Sequence, residues 1–280
     1  MTARRGWFLP VAMLLGFTFL YAPIVSLIVF SFNSSKLVTV WAGFSTRWYG
    51  ALLQNDQILG AAWLSLKIAF MNAWLAVALG TLAGFILQRF GRFRGRSLFT
   101  GMVTAPLVMP EVITGLSLLL LFVAMESLIG WPAGRGVTTI TIAHVTFSMA
   151  YVAVIVQSRL ASLDQSIEEA ALDLGARPAR VFFVITLPVI APALVSGWLL
   201  AFTLSLDDLV IASFVAGPGS STLPMVIFSK VRLGVSPEIN ALATILVVVV
   251  AIGVVMAGVL MRHQETTRRR DEQMAMAAND

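Results

Sequence analysis

The chain has 280 residues, 58% hydrophobic and only 12% charged, whereas a water-soluble domain carries about 25% charged residues, so lipid must replace water over much of its surface. Its net charge of +5 lies in short basic clusters rather than on a basic face interleaved with aromatics, which argues against nucleic acid as a partner. With no cysteine and two histidines, His144 and His263, the sequence offers no disulfide, thiol nucleophile or metal-ligand cluster, and no catalytic constellation either.

A bilayer core of about 30 Å takes about 20 mostly apolar residues as helix. Six windows meet that length, and they predict an all-α integral membrane protein with six transmembrane helices. The first, between Arg5 and Lys36, carries no charge. Its apolar run is too long for a cleaved signal peptide, so it is read as a retained helix. The second runs from Asp56 to Arg89 and holds Lys67, placed to snorkel to the outer interface. The third, between Arg96 and Glu126, contains Glu111 just after Pro106 and Pro110, which predict a broken helix. The fourth extends from Arg135 to Arg159, with His144 as a packing or hydrogen-bonding residue. The fifth, between Arg180 and Lys230, contains Asp207 and Asp208. The sixth runs from Glu238 to Arg262. Counting Lys and Arg in alternate loops places thirteen on one side and five on the other, so both termini are expected in the cytoplasm. The residues 263–280 then form a basic cytoplasmic tail. The turn-rich segment 217–237 reads equally as a gate loop or as a simple connection.

Between the fourth and fifth windows lies a stretch too helical for a plain loop. Ser166 and Glu169 have capping-box spacing. Ile167, Ala170, Ala171 and Leu174 recur on one helical face. Gly175 suits a left-handed C-terminal position, and Arg177-Pro178 follows as a stop. Periodicity alone leaves two readings of this short amphipathic helix: it lies on lipid headgroups and its own neighbours, or it docks a soluble partner.

The spacing Glu169-Ala170-Ala171, three residues, Gly175, nine residues, Ile185-Thr186-Leu187-Pro188 resembles the EAA loop of bacterial binding-protein-dependent importer permeases. The resemblance extends over essentially the whole chain and implies a type I ABC importer permease fold, here one permease domain over 1–280 with its coupling loop at 164–188. It implies that Ser166, Glu169, Ala170, Ala171 and Gly175 dock a cytoplasmic ATPase, and that Ile185, Leu187 and Pro188 mark the start of helix five. No Walker A sequence precedes any of Lys36, Lys67 or Lys230. ATP and Mg are therefore expected on a partner chain, with no cofactor here.

Ionisable groups inside a membrane are costly and mark a pathway or a pair. At about 100° per residue, Asp207 aligns with Ser196 and Thr203 in a polar stripe, while Asp208 falls among Gly197, Ala201 and Ser205. Asp207 is thus expected to line the pathway and Asp208 to face a neighbouring helix or partner subunit. Glu111, with Thr104 and Thr114 on its face, is a further pathway candidate. The alternative is that each carboxylate simply hydrogen-bonds to an adjacent helix. An excess of buried acids favours a cationic cargo. The runs Phe32–Lys36, Ala105–Gly115 and Ser205–Ile211 resemble the polyamine branch of the family. That resemblance implies putrescine as cargo, with spermidine or another small solute as the alternative. It also implies a second related permease, two copies of the ATPase, and a periplasmic polyamine-binding protein at a bacterial inner membrane. An ion-coupled secondary transporter would explain the acids but not the four-part cytoplasmic motif, and a passive channel would need no ATPase.

Overall fold

The computed structural model describes residues 7–37, 40–234, 236–253 and 255–256. No strand occurs among them; Asn33 and Phe44 form an isolated antiparallel bridge. Five helices are long and apolar enough to span a bilayer, and Pro237–Gly253 is a shorter apolar sixth. The expected tail 263–280 and the end of the sixth window lie outside the described residues.

The chain divides into two compact units, Gln57–Ser229 and the flanking segments. In the flanking unit, α1 (Phe8–Ser31) buries only Ser31 and is apolar on every side, as expected of a helix whose surroundings are lipid or another chain. Its exit is tied down by polar bonds. Ser31 Oγ lies 2.7 Å from the Tyr49 hydroxyl, on α2 (Arg47–Leu53). The Asn33 amide donates to the Val40 carbonyl at 2.7 Å and accepts from the Ala42 N–H at 2.9 Å, and Trp48 Nε1 donates to the Asn33 carbonyl at 2.7 Å. The final helix of this unit, α12 (Pro237–Gly253), borders an open apolar cleft of about 510 Å³ lined by Phe32, Tyr49 and Val248 among others.

In the other unit, α3 (Asp56–Arg89) has 34 residues, about 51 Å of helix. That exceeds a bilayer core of about 30 Å, so the helix either tilts or extends beyond the hydrocarbon. The third window forms two helices, α4 (Arg96–Val108) and α5 (Glu111–Ile129). The break is where Pro110 demands it: a proline disfavours α geometry in the preceding residue, and Met109 is extended at φ −80°, ψ 135°. Pro106 is accommodated inside α4. The break expected from the two prolines therefore falls at Pro110, and Glu111 opens α5.

The central helix is α6 (Val137–Ala161). It packs against α4, α9 (Leu187–Leu206) and α10 (Val210–Val215). Ala73 and Ala76 of α3, Val152, Val156 and Leu160 of α6, and Ile190 and Ala201 of α9 share one core cluster. Lipid is as apolar as leucine, so such helices associate through close packing and interhelical hydrogen bonds. Gly80 and Gly84 supply the closeness. A Cβ on Gly80 would lie 2.7 Å from Val152 Cβ, and one on Gly84 would lie 2.7 Å from the Ala153 carbonyl oxygen. Asn72, fully buried, supplies the bonds: its amide donates to Ser148 Oγ at 3.1 Å and to the Ala201 carbonyl at 2.7 Å.

The fifth window is also segmented. Two short pieces, α7 (Ser166–Asp173) and α8 (Pro178–Val181), lead through a π-helical turn (Phe182–Thr186) into α9. After α10 comes α11 (Leu223–Leu233). Arg177-Pro178, expected as a stop, is instead a start: Pro178 occupies the first turn of α8, where its missing N–H leaves no bond unmade.

Candidate functional site

The coupling loop assembles from local chemistry. Ser166 is the first residue of α7 rather than its cap, so the expected Ser166–Glu169 capping box does not form. Asp164 takes over: its Oδ1 accepts the Ser166 N–H at 3.0 Å. That backbone bond, helped by the Ser166 hydroxyl, holds the Asp164 carboxyl below the usual aspartate range. At the other end, the Gly175 N–H donates to the Leu172 carbonyl at 2.9 Å and the Ala176 N–H to the Ala171 carbonyl at 3.0 Å. This Schellman pattern needs a left-handed residue, and Gly175 provides it at φ +85°. The apolar stripe between these ends is uncovered. No residue of α7 is buried; Ile167 is 55% exposed and Leu174 90%. Glu169 and Ala170 are exposed and Ala171 half-buried.

Sequence reading passed over Glu168. Its carboxylate pairs with Arg89 at the end of α3, 2.9 Å from Nε and 3.3 Å from Nη2, and accepts the Thr186 hydroxyl at 2.8 Å. Neither partner is near in sequence, so no local pattern could reveal the cluster. The Ile185–Pro188 stretch, expected to start helix five, lies within a helical run that begins at Pro178. Ile185 sits in the π-turn, while Leu187 and Pro188 open α9. Pro188 has no N–H to offer Val184, and the widened turn, closed by the Leu187 N–H on the Phe182 carbonyl, absorbs the defect.

The intramembrane acids separate as the helical angles indicate, with one difference. The expected stripe along an unbroken helix stops at Leu206, and Asp207 is the C-cap of α9. Ser196, Thr203 and Asp207 all lie on the exposed side of the helix. Both hydroxyls donate to backbone, Ser196 to the Pro192 carbonyl at 3.1 Å and Thr203 to that of Leu200 at 2.9 Å, leaving oxygen lone pairs outward. The last carbonyls of α9 and the Asp207 carboxylate together make this helix end electronegative.

Asp208 turns inward. Its Oδ2 lies 3.0 Å from His144 Nε2 and accepts the Ala212 N–H at 2.7 Å; its Oδ1 accepts the Ile211 N–H at 3.2 Å. His144 Nδ1 is 2.7 Å from Ser205 Oγ. A neutral ring donating from Nε2 to the carboxylate leaves Nδ1 to accept the serine proton. Asp208 thus breaks the helix, starts α10 and pins both to α6, with both oxygens engaged inside the protein. That geometry is the one expected of an acid that faces a neighbouring helix rather than lining the pathway.

Glu111 is exposed in the first turn of α5, where its charge complements the helix N-terminus. One turn on, Gly115 lies against α10: a Cβ there would be 2.8 Å from Phe214 and 3.3 Å from the Ile211 backbone. The helix opened by Glu111 therefore packs beside the one that follows Asp207. Thr114 donates to the Pro110 carbonyl at 3.4 Å and Thr104 to that of Thr100 at 2.8 Å. Two broken helices with exposed acids at or beside the breaks form an arrangement suited to weak, cation-favouring contacts.

Comparison with known proteins agrees with this architecture. Residues 76–270 match the family model described as the binding-protein-dependent transport system inner membrane component. The putrescine transport system permease protein PotI of Escherichia coli K12 is 66% identical over 272 residues, covering 97% of this chain and 96% of that protein. The spermidine/putrescine transport system permease protein PotC of the same strain is 42% identical over 246 residues, covering 88% and 90%. A crystal structure of a bacterial ABC transporter that imports alginate aligns with a TM-score of 0.70 at 18% identity, over 92% of this chain and 97% of that one. At that identity the likeness concerns the fold alone. By sequence and fold, the chain belongs to the family of binding-protein-dependent transport system inner membrane components.

Proposed function

We propose that this chain, acting over 1–280 as one permease subunit, forms half of the pathway of an ATP-driven putrescine importer. The observation that carries the cargo is the 66% identity, over nearly the full length, to a putrescine permease. The site supports the same reading: a diamine presents two ammonium groups, and Asp207 with the outward oxygens of Ser196 and Thr203 offers acceptors at an electronegative helix end. In the working complex the chain pairs with a second, related permease. The complex carries two cytoplasmic ATPase subunits, which hold the ATP and Mg, and one of them docks on the exposed stripe of α7. A periplasmic polyamine-binding protein delivers the cargo. Ser166, Glu169, Ala170, Ala171 and Gly175 form the docking element, with Ile185, Leu187 and Pro188 behind it. Asp207, Thr203, Ser196 and Glu111 line the route, and Asp208 braces it.

Contacts in transit are weak, because tight selection belongs to the binding protein and a tight site inside the membrane would slow release. Nucleotide binding draws the two ATPases together and moves α7; hydrolysis resets it. The test is uptake of labelled putrescine by proteoliposomes containing all four components, with ATP or the binding protein omitted as controls. Uptake that needs every component, with putrescine preferred over spermidine, is the expected result. Preference for spermidine would move the chain toward the relative that is 42% identical. ATP hydrolysis without movement of either polyamine would refute the cargo.

A further inference from the structure

No residue of α7 is fully buried, and a helix of eight residues is marginal on its own. Among the described residues, Glu168 is its only side chain hydrogen-bonded to another helical segment. The two partners come from different places. Arg89 is the last residue of α3, and Thr186 is the last of the π-turn that opens α9. All three are sheltered: the side chains of Arg89 and Glu168 are 9% and 14% exposed, and Thr186 is 2% exposed. Arg89 Nη2 donates to the Glu168 carboxylate at 3.3 Å, with Nε in ionic contact at 2.9 Å, and a pair at such low exposure is screened by salt less than a surface pair.

The ground on each side of this cluster is braced. The Arg96 guanidinium donates to the Leu87 carbonyl at 2.8 Å and also to the Gly91 carbonyl, fixing the turn that follows α3. Phe85 of α3 meets Phe182 of the π-turn edge to face at 4.9 Å. By contrast, the π-turn has a widened hydrogen-bond ladder, the kind of irregularity that lets a helix change its pitch locally. A push on α7 therefore reaches the end of α3 and the entry to α9 together. The far end of α9 is Asp207, about 30 Å away along 20 residues.

We infer that Arg89, Glu168 and Thr186 form a transmission clamp, positioning residues through which displacement of α7 reaches α3 and α9 together. The inference rests on the ATPase-docking reading of α7 but concerns a different property. Docking uses the outward stripe, whereas the clamp uses the inward carboxylate. Without the clamp, α7 would still bind the ATPase and would swing on its Gly175 turn without moving the bundle.

The experiment compares Arg89→Glu, Glu168→Arg, the double reversal, and Arg89→Lys, which keeps the charge but not the paired geometry. Each is purified with its partner permease and ATPase, reconstituted, and assayed for ATPase co-purification, ATP hydrolysis, and putrescine moved per ATP. The single reversals are expected to keep the ATPase bound while putrescine per ATP falls about fivefold or more, the lower end of ordinary coupling between sites. Arg89→Lys should fall between them and the unaltered chain, and the double reversal should recover most of the ratio. An unchanged ratio in the single reversals would overturn the clamp. So would loss of ATPase binding in both single variants and in the double reversal, because the cluster would then serve docking or folding. If the unaltered complex itself shows no ATP-dependent putrescine uptake, the functional reading fails first and the clamp falls with it.

Discussion

Two adjacent aspartates illustrate how much one residue of rotation decides. Asp207 points to the exposed side of α9, and Asp208 is drawn into the His144–Ser205 cluster and the start of α10. Replacing Asp207 by Asn removes charge from an exposed group at the end of α9. Putrescine uptake should fall, with the half-saturating concentration of loaded binding protein little changed, because capture takes place on that protein. Normal uptake by Asp207→Asn would remove it from the route. Asp208→Ala leaves His144 Nε2 and two backbone N–H groups without their acceptor. A buried donor left unsatisfied costs about 1–3 kcal/mol, so this variant should melt earlier in detergent and accumulate less in membranes. Equal melting temperatures for Asp208→Ala and the unaltered chain would contradict a bracing role.

At the level of elements, what was legible in sequence was whatever depends on neighbours a few positions away. The face angles along α9, the break at Pro110, the left-handed Gly175 and the apolar stripe of α7 all follow from periodicity and local sterics. The misreadings arose where two local rules competed. Ser166 has capping-box spacing with Glu169, but Gln165 holds the N-cap position and Asp164 accepts the Ser166 N–H. Arg177-Pro178 can end one helix or begin another. Nor could the end of α9 at Leu206 be seen, since helical periodicity runs on through Asp207 until Asp208 takes the N–H groups of Ile211 and Ala212. Pairs such as Glu168 with Arg89, 79 residues apart, leave no trace in spacing. The docking stripe is the element-scale prediction. Gly175→Pro removes the N–H that Leu172 accepts and imposes a negative φ where the chain has +85°. Ala170→Arg puts a charge in the middle of the exposed stripe. Both should reduce co-purification of the ATPase without changing the amount of permease in the membrane. Undiminished co-purification in both would return α7 to the lipid surface.

For the whole molecule, function depends on orientation: α7 must meet the cytoplasm for an ATPase to reach it. The asymmetry of thirteen basic residues against five argues for that sidedness through the positive-inside rule. The lack of any cysteine makes the orientation measurable without a background to remove. Ser127, exposed in the last turn of α5 just before Gly130, lies at the end assigned to the outer side. Ser162, exposed just after α6, falls in the loop that carries α7. Each can be replaced by Cys with only a local hydroxyl bond lost, Ser127 to the Ala124 carbonyl and Ser162 to that of Arg159. In spheroplasts, a membrane-impermeant maleimide should label Ser127→Cys at once and Ser162→Cys only after permeabilisation. The reverse pattern would put α7 outside, where no ATPase exists, and every cytoplasmic assignment would fail together. The expected pattern would fix the side from which force enters, and on the proposed clamp the 20 residues of α9 would lead from the cytoplasmic side to Asp207. That geometry is what ATP-driven import by this chain requires.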